Sequence, residues 1–154
     1  MAVSFSLNNN FFILKSKKYE DIYDVLVNKK HNFKMYELFT LCASVGFGHN
    51  NPLPIGDRGK DIRSEHLKES QLYVLYSIMI HSPLIKANLE SFRDYDFIKT
   101  SFKTIEQYAE GGMEILCRDV FEKNWNGYVL EEEYEYYDVD LLRFVYEGYK
   151  EGSF

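Results

Sequence analysis

One segment limits the fold more than any other. Between Asp94 and Lys123, the residues Ile98, Phe102, Ile105, Ala109, Gly112, Leu116 and Val120 recur every three or four positions. That spacing lines one face of an α-helix. A helix of this length, at 1.5 Å per residue, exceeds the ~30 Å width of a small domain. Gly112 sits in the middle of the stripe with Gly111 beside it, and each costs a helix about 1 kcal/mol relative to alanine. Close packing of another helix on the glycine surface is the favoured offset. A kink there, or a ligand approaching the backbone, are the other two readings.

The rest of the chain supplies helices of matching character. Tyr19, Ile22, Tyr23 and Leu26 predict a helix over 18–29, with Glu20 and Asp21 near its amino end, where the helix dipole favours acids. Met35, Leu38, Phe39, Cys42 and Val45 predict a second over 34–46, stopped by Gly46 and Gly48. A long polar connection, 47–60, follows. A short helix over 61–70 with Ile62 and Leu67 inward comes next, then a buried helix over 72–80. Ser82-Pro83 reads as the cap and first turn of another short helix reaching about Ser91. After a loop at 124–130 around Trp125 and Gly127, a helical pattern returns over 139–149 through Leu142, Val145, Tyr146 and Tyr149. At the other end, Val3, Phe5 and Leu7 alternate with serines before Asn8-Asn9-Asn10 and a second apolar run. This suits either a β-hairpin or an arm lying on the helices. The expected fold is mainly α: one compact, orthogonal helical domain over 1–154 with about six helices. Residues 1–16 form its arm or hairpin, and 127–154 an acidic, tyrosine-rich carboxy-terminal segment.

Charge is unevenly distributed. Residues 1–35 hold six lysines against three acids, net +3, while residues 111–154 hold four bases against eleven acids, net −7. The two ends are solvated faces, opposed to each other, or they are a phosphate-binding face and an acidic face for a basic partner. With a net charge of −6, non-specific nucleic-acid binding is disfavoured, because its affinity comes from neutralising phosphates. Aromatic residues make up 17% of the chain, 13 of them Tyr, enough to fill a core and leave aromatic surface for a partner. Cys42 and Cys117 lie in apolar helical stretches and read as reduced, buried thiols. No signal-peptide pattern and no apolar run of ~18 residues is present, so a cytoplasmic setting is expected.

Chemistry-bearing motifs are scarce. The histidines His31, His49, His66 and His81 are scattered and have no metal-ligand spacing with the cysteines. The chain has no phosphate-binding P-loop, dinucleotide-binding glycine motif or nucleophile elbow. No cofactor is expected. One cluster remains, Arg58, Asp61, Arg63 and His66. Its arginines could hold an anion bidentately, or the group could be an Asp/Arg network pinning the long loop.

Four features in order carry a family likeness. They are the stretch from Tyr36 through Leu38, Cys42 and Gly46 to Phe47, the Asp61-Ile62-Arg63 loop end, the apolar 72–80 run followed by His81-Ser82-Pro83, and the stretch from Glu106 through Tyr108, Gly111 and Gly112 to Leu116. Over residues 18–123 the chain resembles the Dnd system-associated protein 4 family. These are small helical proteins encoded near bacterial DNA-phosphorothioation and related phage-defence loci. The resemblance implies a place in an antiviral gene cluster. It implies no reaction and brings no catalytic residues.

The functional expectation is a non-enzymatic accessory subunit that binds a larger defence protein, such as a nuclease, helicase or ATPase. It would do so through Trp125, Glu131, Glu132, Glu133, Tyr134, Tyr136 and Tyr137. The alternatives are direct DNA contact by Lys15, Lys17, Lys18, Lys29, Lys30 and Lys34, or an acidic tail acting as a DNA mimic.

Overall fold

A computed structural model describes residues 10–152. Among them the protein is mainly α, with five α-helices and one two-stranded antiparallel sheet. In chain order these are β1 (Phe12–Ile13), α1 (Glu20–Tyr23), α2 (Met35–Gly48), β2 (Ile62–Arg63), α3 (Glu69–His81), α4 (Tyr95–Asp119) and α5 (Tyr137–Lys150). A tight 3-10 turn, Lys17–Tyr19, leads into α1, and a wide π turn, Asp24–Lys29, leads out of it. The 18–29 segment is thus continuously helical but changes pitch twice.

α4 runs without a break through Gly111-Gly112. Its start is fixed by Asp94, whose Oδ1 accepts the Asp96 and Phe97 N–H groups at 3.0 and 3.3 Å. That satisfies two of the donors a helix start leaves unpaired. α4 packs most extensively on α2, backbone on backbone. A methyl built on Gly112 would lie 1.7 Å from the Cys42 carbonyl oxygen, and one built on Gly46 would lie 1.8 Å from that of Tyr108. Gly46 is therefore as much a part of the crossing as Gly112, although from the sequence it reads only as a helix stop. Gly111 serves the loop after α2. A methyl there would lie 1.5 Å from the Asn51 carbonyl oxygen, and Asn51 Nδ2 donates to the Gly111 carbonyl at 3.0 Å. Together with the Leu53 N–H bond to the Gln107 carbonyl, this holds the polar connection against α4.

The amino-terminal arm, from residue 10 onward, lies on the helices. Phe11 and Ile13 are buried while Phe12 between them is exposed, as in a strand; the alternation read at Val3, Phe5 and Leu7 lies outside the described residues. The strand pairs with Ile62–Arg63, Phe12 opposite Arg63 and Ile13 opposite Ile62. The other half of the hairpin expected from the sequence falls on residues 1–9, outside the described residues. Two carboxylates one turn apart on α4 face this arm. Glu106 Oε2 accepts the Leu14 N–H at 2.7 Å, and burial raises the pKa of both Glu106 and Glu110 above the ordinary carboxyl range.

Two expected short helices do not form. Residues 61–70 hold β2, a 3-10 turn over Ser64–His66 and an extended step at Leu67. Ile62 and Leu67 are nevertheless both buried, as expected. Ser82 caps no new helix. It ends α3, its hydroxyl bonds the buried Tyr108 hydroxyl at 2.7 Å, and its carbonyl accepts Ile85 and Lys86 N–H in a tight turn. Lys86 then takes a positive φ of 57°, which no α-helix contains. The next helical piece is a 3-10 helix over Leu89–Arg93, capped by Asn88. The core runs from Phe11 to Leu141 as one cluster.

Candidate functional site

The four residues of the loop cluster do not converge. Arg58, Asp61, Arg63 and His66 are all exposed. The Arg63 side chain is committed to Glu65, Nε to Oε1 at 3.0 Å, and lies over the Phe12 ring. Among the described residues no ion pair joins Arg58, Asp61 and Arg63 to one another, so no Asp/Arg network pins the loop. The loop is pinned instead by backbone pairs, Lys17 N–H to the Asp57 carbonyl and Gly59 N–H to the Lys15 carbonyl.

The six lysines are also dispersed. Lys15 is buried, with its ammonium 3.0 Å from Glu20 and over the Tyr23 ring. Burial lowers its pKa despite the Glu20 partner. Lys29 reaches Glu132 at 3.3 Å and Lys30 reaches Glu135 at 3.4 Å. Lys17, Lys18 and Lys34 are exposed, as is Lys29 beside its acidic partner. The oppositely charged ends of the chain thus meet each other in part. Leu130 N–H donates to Asp21 Oδ2 at 2.7 Å at the same seam.

Both cysteines and two of the histidines, His49 and His81, are engaged by the fold. The Cys42 thiol is fully buried, and burial pushes the Cys117 thiol up to about 12, so both hold their protons at neutral pH. His49 Nδ1 donates to the Val45 carbonyl at the end of α2, its ring stacked on Phe144. His81 Nδ1 donates to the Ser77 carbonyl. Among the described residues no three His, Cys, Asp or Glu side chains are placed to hold a metal ion. An open concavity of about 1050 Å³ lies between the arm, the loop after α2 and the 126–128 turn. Its lining mixes Asp57, Glu110 and Glu114 with Lys17 and Lys18, so it offers neither sign of charge alone.

The carboxy-terminal segment is different. Of the residues expected to meet a partner, three serve the fold. Tyr137 is buried, and its hydroxyl donates to the Glu131 carbonyl at 2.5 Å. Tyr134 packs on Tyr137 and donates to Asp140 at 2.6 Å. Trp125 packs beside Tyr19. Tyr136 is exposed, as are Glu131, Glu132 and Glu133. The Asn126–Val129 turn, with Gly127 at φ 98° and Asn126 Oδ1 accepting the Tyr128 and Val129 N–H groups, holds both of those side chains outward.

The largest surprise is the face α5 buries. Its inward residues are Tyr137 and Leu141, with Phe144 packed against the core. Val139, Leu142, Tyr146 and Tyr149 point to solvent, at 46, 68, 63 and 76% exposure. The helical pattern read through Leu142, Tyr146 and Tyr149 is thus the outer face of the helix. The helix carries two apolar stripes, and periodicity alone does not say which one turns inward. A second exposed apolar group, Tyr73, Val74 and Ile80, lies on α3. None of the described helices is long and apolar enough to cross a membrane.

No protein-family model matches the chain, and comparison with curated proteins and with solved structures gives no match.

Proposed function

We propose that this chain is a non-enzymatic accessory subunit that works by binding a larger protein of a bacterial anti-phage system, a nuclease, helicase or ATPase. The observation that carries the binding reading is the outward stripe of α5, four large apolar side chains in a row on a helix held by its opposite face. Contiguous exposed apolar surface of this kind marks interaction sites on soluble domains, and tyrosines are favoured anchors at such sites. Tyr136, immediately before α5, is exposed as well. The antiviral setting rests on the family resemblance of residues 18–123 alone. Direct DNA binding has less behind it, because Lys15 is buried and Lys29 and Lys30 are paired with acids of the same chain.

Co-expression of the tagged chain with the products of its neighbouring genes, followed by nuclease treatment and size exclusion, tests the reading. A stoichiometric, nuclease-resistant complex lost in the Leu142→Glu/Tyr146→Glu variant is expected. Absence of co-elution with every neighbour overturns it.

A further inference from the structure

The arm over residues 10–17 has a different neighbour on each of its edges. On one it pairs with the 57–64 stretch. Phe11 N–H donates to Ser64 Oγ at 2.9 Å, Ile13 lies opposite Ile62, Ser16 lies opposite Arg58, and Lys17 N–H donates to the Asp57 carbonyl. On the other edge, where a sheet would add a third strand, stand two carboxyl groups of α4. Glu106 accepts the Leu14 N–H, and the Glu110 carboxyl lies against Ser16. The match is one of periods. Four residues of a helix advance about 6 Å, and two residues of a strand about 6.7 Å. Side chains at 106 and 110 therefore keep step with positions 14 and 16 of the arm.

Glu106 is buried, and among the described residues no cation forms an ion pair with it or with Glu110. Lys103 on α4 and Arg58 on the loop act on Glu106 only at longer range. Lys18 does the same for Glu110, against Glu114 one turn further along. On the arm itself, Lys15 is held by Glu20, with Lys60 and Asp61 near it. A carboxylate buried without a counter-ion loses hydration that one N–H bond does not replace, whereas the neutral acid loses far less. Burial accordingly raises the pKa of both groups above the ordinary carboxyl range. Lifting the arm returns both to water. Closing it therefore takes up protons, a contribution that is full below the ordinary carboxyl range and is lost as pH rises through the raised values.

We propose that residues 10–17 form a proton-linked strap, closed over α4 while Glu106 and Glu110 hold protons and lifting locally, with the helical body still folded, once both are ionised. The body has its own attachment, because α2 and α4 cross backbone on backbone at Gly46 and Gly112. Lifting uncovers the faces of Tyr95 and Phe102 on which Phe11 packs. It also removes Ser16 and Lys17 from the wall of the open concavity. The strap is independent of the binding surface on α5.

Amide hydrogen exchange followed by NMR on the full chain, between about pH 5 and pH 8, tests it. Each rate is divided by the intrinsic rate at that pH. Protection of the Leu14 and Lys17 amides is then referred to that of the α2 amides from Leu38 to Val45, which report opening of the body. The relative protection of the arm is expected to fall about tenfold or more across this range, since each unit by which burial raises one carboxyl pKa is a factor of ten. In Glu106→Gln/Glu110→Gln the ratio should be flat and keep its high value at pH 8. Glu114→Gln, at an exposed position, should behave as the unchanged protein. A ratio that is constant with pH in the unchanged protein overturns the strap, and so does one that rises with pH. A fall that persists in the double variant places the titration elsewhere, on Lys15 or its neighbours, and overturns it as well. The first two outcomes need no variant, so the test stands even where the double substitution does not fold.

Discussion

α4 and α5 each carry apolar residues at helical spacing, yet α4 buries its stripe from Ile98 to Leu116 while α5 turns one of its two stripes to solvent. α4 reaches its neighbour by removing side chains. At Gly46 and Gly112 the carbonyl oxygen of one helix occupies the space of a methyl on the other, so dispersion contacts form along the backbones themselves. α5 does the reverse. It is attached through Tyr137, Leu141 and Phe144 and holds large side chains away from the body. The first arrangement fixes a crossing and has no room for substitution. The second leaves surface that contributes nothing to the fold. An apolar stripe is thus no measure of burial until the partner surface for it is found.

The sharpest way to break this contrast is at the crossing. Gly112→Ala, which would stabilise an isolated helix by about 1 kcal/mol, is expected to cost about 3 kcal/mol here, because overpacking a tight contact forces the backbones apart. Chemical denaturation measures it, and an unchanged or higher midpoint would mean the helices can separate at no cost. Next in size is a pair of adjacent leucines on α5. Leu141→Ala should cost about 2–3 kcal/mol, as for a buried leucine, whereas Leu142→Ala should stay within about 0.5 kcal/mol, as for a surface position. Similar costs for the two would erase the distinction between the faces.

A smaller effect concerns the arm that α4 receives. Because burial raises the Glu106 carboxyl pKa, the folded state takes up a proton more readily than the unfolded chain. That contribution to stability is therefore fully present below the unfolded carboxyl value and is lost as pH rises through the folded one. Glu106→Gln keeps an acceptor for the Leu14 N–H without the buried charge. It should raise the thermal midpoint near neutral pH, with the gain shrinking as the pH falls toward 4. A gain that grows on acidification would reverse the assignment. Smallest of all, Lys29→Ala and Lys30→Ala should each shift the denaturation midpoint only slightly, since their ion pairs are partly exposed, and the difference should fade in high salt.

These regions were unequally legible. α4 could be read because its pattern is long, local and capped by Asp94. The presence of α2, α3 and α5 was readable for similar reasons. β2 was not, since a two-residue strand exists only because Phe12–Ile13, some fifty residues earlier, lies beside it. The Ser82-Pro83 turn carries a helix-start signal, but the Ser82 hydroxyl is drawn to Tyr108 and Lys86 adopts a left-handed backbone; both follow from tertiary packing. The candidate surface was legible in place but not in detail. The acidic, tyrosine-rich segment was singled out, yet Tyr134, Tyr137 and Trp125 are consumed by the fold. The pattern through Leu142, Tyr146 and Tyr149 marked a helix but not its inward face, because a helix with two apolar stripes gives no local sign of which one turns inward. The six lysines look alike in sequence and differ only once Glu20, Glu132 and Glu135 are brought to three of them.

The outer stripe of α5 exists only while the helix does, because in an extended chain Val139, Leu142, Tyr146 and Tyr149 no longer share a side. A ligand of that stripe therefore selects the folded form, and by mass action it stabilises that form by about 2.7 kcal/mol at a hundred times its dissociation constant. The persistence of this last helix is in that sense a function of concentration, set by how much of its ligand is at hand.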